Sequence, residues 1–197
     1  MQAYIKRLLD IVMATISMIV FSPVMLIIAI AIKREDPHGD IIYSQERIGY
    51  RGKPFTLYKF RSMRMDAELD NAPQLYLGED EDPRLTKIGR FIRAHHLDEF
   101  PQLWNVLRGD MSFVGYRPER KFFIDQIIQQ NPDYVRLYAM RPGLFSYATL
   151  YNGYTDTIEK MLERLRLDLE YLEKQSIFFD IKIIVLTAFS IIFGKKF

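Results

Sequence analysis

The chain has 197 residues, 49% hydrophobic and 26% charged, with a mean hydropathy of −0.09 and 27 basic against 25 acidic side chains. That composition supplies a packed core and excludes a disordered tail, a collagen-like chain or a linker-dominated one. With no cysteine present, disulfides, thiolate zinc sites, iron–sulfur clusters and cysteine nucleophiles are excluded together.

The first element is an apolar run. From Ile11 to Ile32, 22 consecutive residues carry no charge, and as a helix they extend roughly 33 Å, enough to cross a bilayer. The run is too long for a cleaved signal peptide and no small-residue cleavage pattern follows it. Ser22-Pro23 lies at its centre. Proline has no amide hydrogen and crowds the carbonyl four residues back, so a bend is expected there, and the Ser22 hydroxyl is placed to satisfy a freed backbone group. Lys6 and Arg7 flank one end and Lys33 and Arg34 the other. Basic flanks favour the cytoplasmic side. A re-entrant helix that enters and leaves one leaflet accommodates both pairs, whereas a kinked span leaves one pair outside.

After a turn at 37–39, residues 41–43 and 53–60 read as a short β-hairpin. Charge is segregated here and beyond: six bases and one acid over 41–64, seven acids and no base over 65–83, then seven bases and four acids over 84–120. Basic blocks attract the phosphates of a nucleotide, a lipid or a nucleic acid, and charge alone does not choose among them. Residues 72–83, with proline at both ends of the stretch, read as an acidic surface loop.

Thr86 is a candidate N-cap for a helix presenting Ile88, Phe91 and Ile92 and ending near His95-His96. Asp98 then precedes Phe100, Leu103, Trp104 and Leu107, a helical stripe closed by Gly109. Pro101 is tolerated only in the first turn, which places Asp98 and Glu99 at the helix start, where the dipole favours ionised carboxylates. For an arbitrary Asp-Glu pair the simplest role is N-cap and first-turn acid. Ile158, Met161, Leu162, Leu165, Leu169 and Leu172 form a further stripe, with Asp168 about 60° from its centre, at the border of core and solvent. Residues 177–193 are apolar but carry Asp180 and Lys182, so an amphipathic interfacial helix trailed by Lys195 and Lys196 is favoured over a span, with a buried core helix as the plain alternative.

An uncharged membrane segment, adjacent basic blocks and acids at a helix start together suit chemistry on an anionic, lipid-linked substrate. Phosphoryl transfer needs cations around the transferred group and a nucleophile or a metal in line with it, and carboxylates can serve as nucleophile or as magnesium ligand. Side chains of adjacent helical residues diverge by about 100°, which favours unlike roles for Asp98 and Glu99. Two other readings compete. One is a metal-dependent lipid or nucleotide diphosphate hydrolase using His95, His96, Asp98 and Glu99, although adjacent histidines rarely converge on one ion. The other is a membrane-tethered scaffold or nucleic-acid binder in which Tyr50, Phe55, Tyr58 and Phe60 stack on bases; such aromatics more often pack a hairpin.

The run Asp82-Pro-Arg-Leu-Thr-Lys-Ile-Gly-Arg-Phe-Ile-Arg93 and the run Leu97-Asp-Glu-Phe-Pro-Gln-Leu-Trp-Asn-Val-Leu-Arg-Gly-Asp-Met-Ser-Phe-Val-Gly115 resemble the bacterial sugar transferase family, the small monotopic phosphoglycosyl transferases that act on polyprenol phosphate. Gln45 to Phe55, Lys59 to Met63, Ser22-Pro23, Arg117-Pro118, Arg141-Pro-Gly143, Asn152-Gly153, Asp168, Tyr171 and Asp180-Ile-Lys182 extend the likeness over essentially the whole chain.

The resemblance implies an α+β, mostly helical fold, with a re-entrant membrane anchor over 1–36 and a catalytic domain over 37–197 on the cytoplasmic face of the bacterial inner membrane. It implies Asp98 as nucleophile on the β-phosphate of a UDP-sugar, expelling UMP, and a polyprenol phosphate, undecaprenyl phosphate being expected, as acceptor. Glu99 matches the magnesium-binding acid (Mg2+ as cofactor), Lys59 and Arg93 are assigned phosphate contacts, Asp168 active-site organisation, and Arg117 and Arg141 substrate binding. Membrane lipids, downstream glycosyltransferases of the same pathway and a homodimer are the expected partners, and nucleic acid is not. The chain departs from the family pattern at Tyr116, Phe145, Ser146, Thr149 and Tyr154. A looser loop at Tyr116 and altered sugar or nucleotide contacts near the others are therefore expected. Larger relatives carry extra N-terminal helices, so the chain reads as a minimal form.

Overall fold

The computed structural model describes residues 2–67, 82–153, 155 and 157–192. Most of the expected acidic loop, Tyr154 and the trailing lysines lie outside them. Helix α1, Gln2–Glu35, runs through Pro23. The Ser22 hydroxyl donates to the Ile19 carbonyl at 2.8 Å, the acceptor that the proline at position 23 leaves without its helical donor. The expected compensation is present, and the helix continues past the proline without a break in its span.

Strands β1, Ile42–Ile48, and β2, Pro54–Phe60, form the expected hairpin, antiparallel with Tyr43 opposite Lys59 and Ile48 opposite Pro54. Helix α2, Lys87–Ala94, begins where expected: the Thr86 hydroxyl accepts from the Gly89 amide at 2.8 Å. His96 adopts a left-handed conformation, φ 55°, which turns the chain out of α2 into a 3-10 turn at Leu97–Glu99.

Helix α3, Gln102–Arg108, starts later than the sequence suggests, with Pro101 at its N-cap position. Asp98 therefore caps no helix, and the acids belong to the preceding turn. The buried face of α3 is Gln102, Leu103, Asn105 and Val106, while Trp104 is half exposed. The expected stripe is rotated because α1 and the hairpin press on α3 from that side. Gly109 ends the helix with φ 91°, a value reserved in practice for glycine.

A second sheet, absent from the sequence reading, pairs β3, Ser112–Val114, in parallel with β4, Gly143–Phe145. The crossover between them consists of α4, Lys121–Gln130, and the 3-10 segment Pro132–Ala139. Tyr116 is fully buried and bridges to Pro142, so its loop is pinned rather than loose. Helices α5, Tyr147–Asn152, α6, Ile158–Lys174, and α7, Ile177–Ile192, complete the described chain. Around β3 and β4 the core collects Val106, Met111, Val114, Ile124 and Leu165.

Two helices are arranged with polar groups inward. In α7, Asp180, Ile183 and Thr187 are buried while Phe178, Ile181, Val185 and Phe189 face outward. Its inner face carries the acid, and its outer face is apolar apart from the exposed Lys182. In α1, Asp10 and Ala14 are buried and most of the surrounding isoleucine, leucine and valine side chains are exposed. By length and composition α1 is sufficient to cross a membrane.

Candidate active site

Three elements converge on the acidic turn. Asp98 is 5% exposed, and Glu99 Oε1 accepts from Lys59 Nζ at 2.7 Å and from Arg117 Nη2 at 3.3 Å. Lys59 Nζ also stands 3.9 Å from Asp98 Oδ2. The lysine reaches the acids because Asn105 fixes β2 against α3: its side chain accepts from the Tyr58 amide at 3.1 Å and donates to the Thr56 carbonyl at 2.7 Å. A fully buried asparagine thereby takes the place of a partner strand. No sequence rule used above singles it out, although an asparagine on the buried face of a helix is itself the signal, since buried amides need partners.

The two carboxyl groups are pushed apart in acidity. Burial works against charge on both. For Glu99 the cations Lys59 and Arg117 outweigh it, with a hydrogen bond from Lys59, and the group is held ionised well below the usual carboxylate range. For Asp98 burial prevails, with a contribution from the Glu99 charge, and the group is raised despite Lys59 and Arg93. The expectation that a helix dipole keeps both ionised is corrected: no helix begins at either residue, and desolvation dominates at Asp98.

Arg93 lies within electrostatic reach of Asp98 and of Asp82. Asp82, expected on an exposed acidic loop, is buried and chelates Arg84 through Nε at 2.8 Å and Nη2 at 2.6 Å.

Asp168 is 2% exposed rather than a border residue. The buried line of α6 is Met161, Arg164, Leu165, Asp168 and Tyr171, so the apolar stripe misplaces the core face by the width of two charged residues. Their partners explain the burial. Arg164 bonds Glu119 and Thr155, Ser146 Oγ donates to Asp168 at 3.1 Å, and the Arg117 amide donates to it as well. Burial, opposed by Arg164 and the Ser146 hydrogen bond, leaves Asp168 pushed up to about 7. Arg117 thus joins Asp168 through its backbone to Glu99 through its side chain. Ser146, one of the departures from the family pattern, caps α5 and anchors Asp168.

Arg141 is not brought to this site. Its Nε donates to the Gly109 carbonyl at 2.8 Å and its guanidinium stacks 4.9 Å above the Tyr50 ring, in a separate cavity.

Glu99 and Arg117 border a cavity of about 420 Å³ whose walls are otherwise mostly apolar, with Phe21 of α1 and Ala188 and Ile191 of α7 contributing. Phe21 also packs on Phe100, the residue after the acids, with ring centroids 5.0 Å apart. His95 and His96 line the same cavity, but the His95 ring pairs with the Phe91 carbonyl at 2.8 Å. Among the described residues no three histidine or carboxylate side chains gather as a ready metal cage. The hairpin aromatics pack rather than stand free: Phe60 is buried and Phe55 lies against the core.

The model of the bacterial sugar transferase family matches residues 1–194. The chain is 42% identical over 187 residues to the UDP-glucose:undecaprenyl-phosphate glucose-1-phosphate transferase of Escherichia coli (strain K12), covering 94% of this chain and 39% of that protein. It is 38% identical over 192 residues to the UDP-N-acetylgalactosamine-undecaprenyl-phosphate N-acetylgalactosaminephosphotransferase of Aeromonas hydrophila, covering 98% and 44%. A Caulobacter vibrioides protein named like the first is 39% identical over 189 residues, covering 95% and 69%. The chain thus spans less than half the length of the first two relatives, and the sugars in their names differ.

Proposed function

The chain belongs to the bacterial sugar transferase family, and on that premise we propose that it transfers a sugar 1-phosphate from a UDP-sugar to a polyprenol phosphate, undecaprenyl phosphate above all, at the cytoplasmic face of the bacterial inner membrane. One observation carries the reading. A buried aspartate adjoins a glutamate clamped by a lysine and an arginine, and that glutamate borders a mostly apolar cavity partly walled by the long apolar helix. Cations gathered at carboxylates suit a diphosphate, and apolar walls suit a lipid acceptor.

In the proposed reaction an Asp98 carboxylate oxygen attacks the β-phosphorus of the donor. The bond from that phosphorus to the bridging oxygen breaks, and UMP leaves with the electron pair. The acyl phosphate on Asp98 is then attacked at the same phosphorus by a phosphate oxygen of the polyprenol phosphate. The carboxylate is released and a polyprenyl diphosphate-sugar forms. Asp98 must be ionised to attack, which Lys59 and Arg93 favour against burial. Lys59, Arg93 and Arg117 are the cations available to the phosphates, and Asp168 holds the Arg117 backbone in place.

The donor set fits magnesium in the mode where one or two carboxylates share the ion with substrate phosphates; Glu99 would hold it, and its charge would ease departure of UMP. Helix α1 acts as the anchor, re-entrant at Ser22-Pro23. Cysteines introduced beside Lys6 and Lys33 should label from the same side of the membrane, and labelling from opposite sides would defeat that topology.

Incubation with a UDP-sugar and no lipid tests the chemistry. Transfer through Asp98 predicts about one UMP per protein and an intact mass raised by the sugar phosphate, both lost in Asp98→Asn with the fold retained. Many UMP per protein without acceptor would indicate a hydrolase instead. Which UDP-sugar gives the burst identifies the donor.

A further inference from the structure

A second cavity, of about 590 Å³, shares no lining residue with the one beside Glu99. It lies where the first turns of α1 approach the start of α7, and Lys6, Arg7, Asp10, Tyr50, Arg141 and Ile177 are among its walls. Its cations are differently committed. Lys6 is closed by Asp180 at 2.6 Å. Asp10 hydrogen-bonds to neutral donors, its Oδ1 accepting from Ser112 Oγ and the Phe113 amide, both at 3.0 Å, and meets Arg7 only through space.

Arg7 and Arg141, by contrast, hydrogen-bond to main-chain carbonyls. Arg7 donates to Val106 and Leu107 at 2.6 and 2.8 Å, and Arg141 donates through Nε to Gly109. Both therefore converge on the C-terminal end of α3, within each other's electrostatic reach. Asp10 and Asp110 act on Arg7 through space, but neither is hydrogen-bonded to either arginine, and the carbonyl end of the helix that both arginines do touch offers only about half a negative charge. The two terminal nitrogens of Arg141 make no hydrogen bond among the described residues, lying over Tyr50 with donors unspent. Arg51 stacks on the same ring at 5.0 Å. An acceptor bearing negative charge would satisfy those donors and relieve the repulsion between the guanidiniums.

The rim says what kind of anion. Beside the cavity α1 exposes Tyr4 and Leu8, 84% and 62% accessible, and α7 exposes Phe178 and Ile181, 80% and 53% accessible. A soluble phosphate ester has no use for such flanks, whereas acyl chains would cover them. From these contacts we infer that the cavity is a binding site for the phosphodiester headgroup of an anionic phospholipid, held by Arg7 and Arg141, with its acyl chains along the outer faces of α1 and α7. The inference rests on the membrane placement of α1 proposed above and not on the transfer chemistry. By gripping the end of α3, the same arginines would couple the lipid to the helix that follows Asp98 and Glu99.

The test uses the full chain in nanodiscs of phosphatidylcholine doped with phosphatidylglycerol carrying a photoreactive headgroup, with labelled peptides read by mass. Labelling should fall on the segments around Tyr50 and Met140. A phosphatidylcholine probe of the same build should label them poorly, and inorganic phosphate should not compete. Loss of one headgroup cation at a membrane surface weakens capture by about fivefold, so R7Q and R141Q should each lower labelling by about that factor, while R7K and R141K keep most of it.

Equal labelling by the two lipids would overturn the site. Equal loss in the lysine and glutamine variants would also overturn it, because packing rather than charge would then be at work. Competition by inorganic phosphate would assign the pocket to a soluble anion and overturn the lipid. Should the glutamine variants fail to fold, the contrast between the two lipids on the unmodified chain and the lysine variants still decides. No nucleotide sugar is needed for labelling, so this site and the UMP burst fail independently.

Discussion

Lys59→Met is the most informative change at the acidic turn, because Lys59 faces both acids and the two respond differently. Its ammonium stands 3.9 Å from Asp98 Oδ2. At that separation, with an effective dielectric near 20, the attraction is about 4 kcal/mol, equivalent to a ceiling of about three pH units on Asp98. Lys59 retains 20% of its side-chain accessibility and Arg93 also acts on Asp98, so water and the second cation reduce the expected effect to about one to two units. Glu99 keeps Arg117 at 3.3 Å and stays ionised. Asp98 is already raised by burial, and removing a cation raises it further, so the ionised carboxylate that the proposed reaction requires would appear only at higher pH. The assay is the rate of the first UMP released, at saturating UDP-sugar and without acceptor, followed across pH. Its acid limb should move upward by one to two units in Lys59→Met and return in Lys59→Arg. A lower plateau with an unmoved acid limb would refute the argument, since Lys59 would then serve the phosphates and leave the ionisation of Asp98 untouched.

Asp168 titrates higher in the folded chain, about 7, than an unfolded aspartate at about 3.9. The stability it supports is therefore fully present below about pH 4 and lost as pH rises through 7, a difference on the order of 3 to 4 kcal/mol at most. Asp168→Asn should match the unmodified chain in thermal unfolding at low pH and exceed it increasingly toward pH 8; parallel profiles would remove burial as the cause. Gly89→Ala would place a Cβ 1.8 Å from the Ser62 carbonyl oxygen, a backbone clash that should cost about 3 kcal/mol or more and shift the helix bearing Arg93. Denaturant unfolding in detergent should show the loss, and an unchanged midpoint would mean that the contact between α2 and Ser62 yields freely.

Local signals in the sequence were reliable where one residue type performs one local task. Thr86 caps α2, Gly109 closes α3, and the Ser22 hydroxyl repairs the bond missing at Pro23. Periodicity failed where polar side chains occupy the core. Asn105 lies on the buried face of α3 because β2 needs a partner there, and Arg164 and Asp168 lie on that of α6 because Glu119, Thr155 and Ser146 come from elsewhere in the chain to meet them. A hydrophobic stripe cannot register such faces, since what makes them stable is a partner distant in sequence. Strands β3 and β4 were illegible for a related reason. Each has three residues, too few for alternation to show, and they pair across a crossover of helices. Of the candidate site, Lys59, Asp98, Glu99 and Arg117 meet directly, Arg93 acts on Asp98 through space, Asp168 joins through the Arg117 backbone, and Arg141 lies elsewhere. That last separation is one that spacing in the sequence has no means of expressing.

The inward placement of charge on α1 and α7 bears on how a lipid acceptor would reach Asp98. Asp10 bonds the start of β3, and Lys6 with Asp180 and Tyr171 ties α1, α7 and α6 together. Polar groups thus hold the two apolar helices to the domain while their outer faces, Lys182 apart, remain largely apolar. Removing one such partner would leave a buried charge uncompensated, a larger cost than the worth of the pair itself, so these ties resist loosening. Phe21, next to Ser22, packs on Phe100 one residue beyond Glu99. Any displacement of the centre of α1 is therefore felt at the acidic turn. An acceptor lying along the apolar outer faces would arrive at the cavity bordered by Phe21, Ala188 and Ile191, with its phosphate directed toward the charged border where Glu99, Arg117 and Arg164 stand. In such an arrangement the proposed anchor would set the depth at which the phosphates meet, a role beyond attachment.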